Sequence, residues 1–449
     1  MICRYLTELN LLTRFLVNPM ENINILTLGC SKNRVDSEVL MKQLAENGYN
    51  VAHEADDLEF NTDTIIINTC GFIGDAKEES IETILNYIEA KEDGIIDKII
   101  VFGCLSERYK KELKKEIPEV DAWFGKFELV EMLKYFKSKE KPFIPNRILT
   151  TPSHYAYLKI SEGCDRTCSF CAIPLITGKH KSKTIEQLVA ETQSLVKMGV
   201  KEIILIAQEL SYYGIDIYKK QMLAPLMDEL AQIQGVEWLR IHYTYPASFP
   251  FDILPVMAKH KNICNYMDIA LQHISNNMLS LMKRNVTKAE TYNLISEFRK
   301  QVPNINLRTT LLVGHPGETE QDFEELKQFV KDIRFERLGV FEYSHEEQTY
   351  AYNNYNDDVP ADVKAARAAE IMDIQQQISL ELNTQKIGET CKVLIDRKEG
   401  VYYIGRTEYD SPEVDAEVLI NSDKKLQIGK FVFVKITDAD EFDLFANTI

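Results

Sequence analysis

Residues 164–171 read Cys-Asp-Arg-Thr-Cys-Ser-Phe-Cys, a C-x-x-x-C-x-x-C run that follows an apolar stretch and Gly163. Three thiolates can hold three irons of a 4Fe-4S cluster and leave the fourth iron open to a ligand, which is what catalysis at a cluster requires. A structural zinc site would instead call for four ligands in paired spacing. The nearest fourth candidate is His180, set among Lys179, Lys181 and Lys183 in what reads as a solvated basic loop. Cys164, Cys168 and Cys171 are therefore read as ligands of a redox cluster.

Three other cysteines each end an apolar run: LTLGC at Cys30, IINTC at Cys70 and VFGC at Cys104. One cysteine at a strand end is commonly a small packing residue. In a parallel sheet, however, all strand C-termini share one edge, so three thiols far apart in sequence converge there. Cys30, Cys70 and Cys104 are read as ligands of a second, auxiliary 4Fe-4S cluster. Cys264 and Cys391 show no such pattern and are read as packing residues, and Cys3 as a thiol of a leader.

The elements that must position these groups can be placed from periodicity, and the fold class is α/β. Residues 20–140 form an N-terminal parallel-sheet α/β domain with strands at Ile23–Leu28, Thr64–Asn68 and Lys98–Phe102. Helical patterns follow at Val35, Val39, Leu44 and at Ile81, Leu85, Ile88, with Gly48 closing the first. Proline-bearing residues 141–153 are a linker. In 154–385, apolar strands recur at 155–161, 201–207, 237–243, 266–272, 306–313 and 337–343, which describes a central partial (β/α)6 barrel with its site at the strand C-termini. A charged helical stretch covers 361–386. Residues 386–449 switch to short alternating strands, a small antiparallel β-barrel.

The chain has 449 residues, with 52 Lys plus Arg against 69 Asp plus Glu, a formal charge of −17 that disfavours bulk nucleic acid and anionic membranes. No run approaches the ~18 apolar residues of a membrane span. Residues 1–19, broken by Glu8, Asn10 and Arg14 and lacking a cleavage site, read as a dispensable leader or an alternative start before Met20. Nine cysteines without a secretory framework point to a reduced, cytoplasmic protein. Residues 386–449 alone hold nine basic and thirteen acidic residues, a balance that suits a basic protein partner better than RNA phosphates.

The cysteine loop with Phe170 resembles that of the radical S-adenosylmethionine (SAM) superfamily, in which SAM chelates the open iron and is cleaved to a 5'-deoxyadenosyl radical. The succession of three-cysteine domain, barrel and terminal β-barrel over residues 20–449 resembles the methylthiotransferases, whose last module is the TRAM domain. GCSKNRVDSE (29–38), HYAYLKISEGCDRTCSFCAIP (154–174) and GRTEYDSPEVDAEV (405–418) resemble the branch acting on a ribosomal protein. The tRNA branch typically carries Gln-Met-Asn where Ser31, Lys32 and Asn33 stand.

That resemblance implies a methylthio group added to the β-carbon of an aspartate in a small-subunit ribosomal protein at the decoding site. It further implies two SAM, two 4Fe-4S clusters and an electron donor such as flavodoxin or ferredoxin. Gln208, Glu209, Gly314 and Glu318 are implied as SAM-binding, the last two from a GHPGET run where the family has GFPGET, so His315 departs from the usual aromatic. Gln272 and His273 are expected on the substrate side. A tRNA adenosine methylthiotransferase and a non-catalytic iron-sulfur sensor or RNA-binding protein are the competing readings.

Overall fold

The computed structural model describes residues 21–141 and 147–449, so the expected leader and Cys3 lie outside the described residues. Two compact units divide between Thr150 and Thr151.

The first unit is built on five parallel strands, β1 (Asn22–Thr27), β2 (Asn50–His53), β3 (Thr64–Thr69), β4 (Lys98–Gly103) and β5 (Ala122–Trp123), in the order β2-β1-β3-β4-β5. The central strands are almost continuous Ile and Val because helices cover both faces. Ile66 and Ile100 point to one core with Leu40 and Leu44 of helix Ser31–Glu46. Ile65, Ile67 and Ile99 point to the other, with Ile84 and Leu105 of helices Gly74–Glu92 and Cys104–Glu116. The edge strands β2 and β5 are additions to the three-strand reading; they are short and lack an all-apolar run. Strand order reverses between β1 and β3, where a crevice opens at the C-terminal edge of such a sheet.

In the second unit, β6 (Tyr155–Lys159), β9 (Glu202–Ile206) and β10 (Trp238–Ile241) form one parallel sheet; β11 (Tyr266–Gln272), β12 (Asn306–Val313) and β13 (Arg337–Glu342) form another. Parallel bridges from Leu239 to Ile263 and from Thr244 to Ile269 join them into a six-strand partial barrel. Alternating helices start at capping boxes, Thr184 with Gln187, Thr287 with Glu290 and Thr319 with Asp322. The short antiparallel pair β7 (Ser161–Glu162) and β8 (Lys181–Ser182) closes the loop that carries Cys164, Cys168 and Cys171. The charged stretch is a single helix, Ala361–Thr384.

The terminal strands β14 (Thr390–Glu399), β15 (Tyr402–Arg406), β16 (Val418–Asn421), β17 (Phe431–Ala439) and β18 (Leu444–Thr448) close a barrel. One pair, β16 with β18, is parallel, because β18 turns back from β17 as a hairpin and closes on β16. Cys264 packs with Trp238 and Tyr266, and Cys391 lies against the terminal core, as packing residues.

The stretch 405–418 forms a floor beneath the partial barrel, where it meets Glu202, Tyr266 and Arg337, the first residues of their strands. Arg406 meets Glu202 at 2.9 Å, Asp410 meets Arg337, Asp415 meets Arg308 at 3.2 Å and Tyr266 at 2.6 Å, and Ser411 meets His242 at 2.8 Å. Among the described residues no helix is long and apolar enough to cross a membrane.

Candidate functional site

In the first unit, Cys30 caps helix Ser31–Glu46 after β1, Cys70 follows β3, and Cys104 opens the helix after β4. The three thiols thus meet at the edge where strand order reverses. Gly29 permits the approach: its φ is +86°, and a Cβ there would stand 2.9 Å from Cys70 Sγ. Burial pushes the Cys70 thiol up and the Cys104 thiol up to about 12, and charge on Cys30 adds to both shifts. Cys30 is exposed. Desolvation raises its thiol, but Lys32, the Asn33 N–H and Lys126 outweigh that, so its pKa is lowered.

Two residues brace this set. Asn33 donates to the carbonyls of Leu28 (3.1 Å) and Thr69 (3.2 Å), and its Oδ1 accepts from Cys104 Sγ at 3.5 Å. The Lys126 ammonium reaches Asp36 at 2.7 Å and Asn33 at 3.4 Å. Soft donors around a cationic, amide-rich rim fit an iron-sulfur cluster. Among the described residues no three His, Cys, Asp or Glu side chains close on the position of a single ion.

In the second unit, the Cys164 N–H donates to the Gly178 carbonyl at 3.1 Å, and a Cβ on Gly163 (φ +78°) would meet the Lys179 carbonyl at 2.1 Å, so glycine is required there. Ser169 ties the loop to the barrel: its N–H donates to Met282 O at 3.0 Å and its O accepts from Ala351 N at 2.7 Å. Burial pushes Cys164 up to about 12 and Cys171 higher still, with charge on Cys168 adding to both. Arg284 Nη1 donates to Cys168 Sγ at 3.2 Å, and the Tyr245 hydroxyl lies 3.6 Å from the same sulfur. These thiols likewise suit a cluster held by three of its irons.

His180 is buried, contrary to the exposed loop expected from its lysine neighbours, because the β7–β8 pair folds it inward. Its N–H donates to Asp165 at 3.0 Å, its Nε2 pairs with Ser182 at 3.1 Å, and burial lowers its pKa.

At the C-terminal rim, Gln208 donates to Glu162. Glu209 is buried; its Oε2 accepts from Arg166 Nε at 3.2 Å, and burial raises its pKa against the pull of Arg166 and of hydrogen bonds from Ser211. Glu318 is fully committed to partners within the protein. It accepts from Gly314 N at 2.5 Å, from Arg367 at 2.7 Å and from His273 Nε2 at 3.1 Å. His273 takes the Ser275 N–H on Nδ1 at 3.1 Å and is fully buried, a satisfied structural group. Gln272 differs: it is half-buried at a β-bulge with φ +71°, a strained conformation at the rim. His315 is neutral, its pKa lowered to about 4 chiefly by burial. It donates to Pro316 O at 3.0 Å, accepts from Ser169 Oγ at 3.0 Å, and packs edge-on against Phe170, Tyr343 and Tyr355. A neutral imidazole so placed serves as the aromatic it replaces.

The uncharacterized protein family UPF0004 matches residues 22–125, the radical SAM superfamily 158–330 and the TRAM domain 387–449. The chain is 59% identical to the ribosomal protein uS12 methylthiotransferase RimO of Bacteroides thetaiotaomicron, over 96% of this chain and 98% of that protein. The chain belongs to the RimO family. It is accordingly a radical SAM methylthiotransferase, an enzyme that transfers a sulfur-containing group with an iron-sulfur cluster and SAM. RimO of Christiangramia forsetii is 56% identical over 95% of this chain and 94% of its own. The radical SAM methyltransferase TsrM of Kitasatospora setae, solved with cobalamin and a 4Fe-4S cluster, superposes with a TM-score of 0.52 at 14% identity, covering 72% of this chain and 75% of that one. The cobalamin-dependent OxsB, solved with aqua-cobalamin and SAM, does so at 0.50 and 13%, covering 80% and 56%. Those two likenesses concern the fold.

Within this RimO architecture, Asn33, Lys126, Tyr245 and Arg284 touch or brace the thiols without having been singled out from sequence. Asn33 lay inside a quoted motif; the others are brought in from distant loops and carried no local signal. The acidic excess of residues 386–449 also changes meaning. Asp396, Asp410, Asp415 and Arg406 belong to the floor, which leaves ten acidic against eight basic residues elsewhere in that module.

Proposed function

We propose that this enzyme adds a methylthio group to the β-carbon of an aspartate of ribosomal protein uS12, near the decoding site, in the cytoplasm. It would use two SAM, two 4Fe-4S clusters, and electrons from a donor such as flavodoxin or ferredoxin. The observation that carries this reading is the pair of three-thiol sets, each at the C-terminal edge of a parallel sheet, in a chain whose relatives are named uS12 methylthiotransferases.

Cys164, Cys168 and Cys171 would hold the radical-generating cluster, and Cys30, Cys70 and Cys104 the auxiliary one, within residues 154–385 and 20–140 respectively. Bound there, the first cluster supplies the electron that splits the SAM sulfonium bond and the second supplies sulfur. The chain's own residues do the rest. The buried carboxylate of Glu209 would accept from the SAM amino group, and Arg166 fixes that carboxylate from within the cysteine loop. Gly314, held by Glu318, shapes the backbone of the rim. Gln208 lines the same rim, and Gln272, held in a strained turn, is the side chain we assign to the substrate. Glu318 and His273 act as positioning residues.

The test is reconstitution. Anaerobic protein supplied with SAM, a low-potential reductant and uS12 should yield 5'-deoxyadenosine and one methylthio group per uS12. A Cys164→Ala protein should yield neither. Formation of 5'-deoxyadenosine without any change in uS12 would refute the substrate.

A further inference from the structure

Six arginines are buried among the described residues: Arg147, Arg240, Arg284, Arg337, Arg367 and Arg406. Five of them sit against carboxylates. Arg147 meets Glu38 at 2.6 Å, Arg240 meets Glu202 at 2.7 Å, Arg337 meets Asp410 at 2.5 Å, Arg367 meets Glu318 at 2.7 Å and Arg406 meets Asp396 at 2.7 Å. This is the usual arrangement, since a buried cation without a matching anion carries a large desolvation cost.

Arg284 breaks the pattern. Its Nη1 donates to Cys168 Sγ at 3.2 Å, its Nη2 donates to the Ala270 carbonyl, and its Nε is buried without a partner. It also stacks on the Tyr245 ring, whose centre lies 4.1 Å from the guanidinium carbon. Tyr245 in turn donates to the Arg284 carbonyl at 2.9 Å and carries the Arg166 guanidinium at 4.1 Å from its centre. The guanidinium is thus fixed in place, aimed at a cysteine sulfur, and among the described residues no carboxylate forms an ion pair with it.

We propose that Arg284 is the counter-ion of the radical-generating cluster and holds its reduction potential up through the Cys168 sulfur. The inference rests on the reading that Cys164, Cys168 and Cys171 bind a 4Fe-4S cluster. Three thiolates and the cluster form an anionic unit, and reduction adds one more negative charge. A positive charge and a hydrogen bond at a ligand sulfur stabilise the reduced form more than the oxidised one, so they raise the potential. Arg284 acts through Cys168 and is a positioning residue. Electron acceptance is therefore set partly by a residue 116 positions from that ligand.

The test is an EPR-monitored redox titration of the full-length reconstituted chain. Cys30, Cys70 and Cys104 are changed to Ala so that one cluster gives the signal, and iron content is measured in parallel. Arg284→Met should shift the midpoint to a more negative potential at unchanged iron content. Arg284→Lys, which keeps the charge, should fall between Met and wild type. Arg284→Gln, which keeps a neutral donor, should lie below Lys. If the Met variant loses its cluster, a midpoint for Lys above that for Gln supports the proposal, and equal midpoints for the two overturn it. Intact clusters with one common midpoint in wild type and variants would also overturn it. Absence of any cluster signal from the parent would instead refute the ligand reading beneath it.

Discussion

Arg406 of the terminal barrel and Glu202, the first residue of β9 in the parallel barrel, stand 2.9 Å apart with side chains 2% and 0% exposed. Glu202 also accepts from Arg240 at 2.7 Å, and Arg406 also holds Asp396, which pairs with His154 at 2.7 Å. The terminal module is therefore part of the barrel's charged floor. Arg406→Met leaves Glu202 and Asp396 short of a cation and should destabilise residues 151–449 by about 3–5 kcal/mol. Urea unfolding should show barrel and terminal module melting together, and a variant within about 1 kcal/mol of wild type would contradict the shared floor.

Cys30 should be the most reactive thiol of the first unit in protein stripped of iron. It is exposed with a lowered pKa, whereas Cys70 is buried with a raised one and Cys104 is pushed up to about 12. Brief alkylation at neutral pH followed by peptide mass spectrometry should label Cys30 first. Equal labelling of all three would refute this order.

His315 makes a pH-dependent contribution to stability. Burial lowers its pKa from 6.5 to about 4, so the unfolded chain binds the extra proton between those values. Stability is then full above about pH 6.5 and is lost as the pH falls toward about 4. Between about pH 7.5 and 5 the loss from this residue is about 2 kcal/mol. Iron-free His315→Phe protein, which keeps the aromatic packing, should lose less stability than wild type over that interval; an identical loss would contradict the assignment.

Iron content should report the two thiol sets separately. Reconstituted protein should carry about eight irons per chain, and about four after Cys30, Cys70 and Cys104 are changed to Ala. Unchanged iron in the triple variant would remove the auxiliary site.

The fold was readable where burial imposes a pattern. Ile65–Ile67 and Ile99–Val101 are apolar throughout because both faces are covered, and Ile203–Ile206 in the barrel carries the same kind of run. β2 and β5 lie at sheet edges and have no such pattern, and β18 is a short polar-interrupted strand defined by its partners. Cys164, Cys168 and Cys171 were read from their own spacing, and Cys30, Cys70 and Cys104 from the convergence of strand termini in a parallel sheet. Arg284, Tyr245 and Lys126 could not, since loops distant in sequence bring them to the sulfurs. Residues 405–418 were legible as a motif but not in their place, because a polar run gives no sign that its charged groups are buried against Glu202, Arg308 and Arg337.

The central claim is the substrate, and the most direct measurement is the intact mass of ribosomal protein uS12, beside the modified nucleosides of tRNA, in cells with and without this gene. Loss of one methylthio group from the uS12 aspartate with tRNA unchanged is the expected result. Loss of a methylthio mark from tRNA adenosine, with uS12 unaltered, would contradict it.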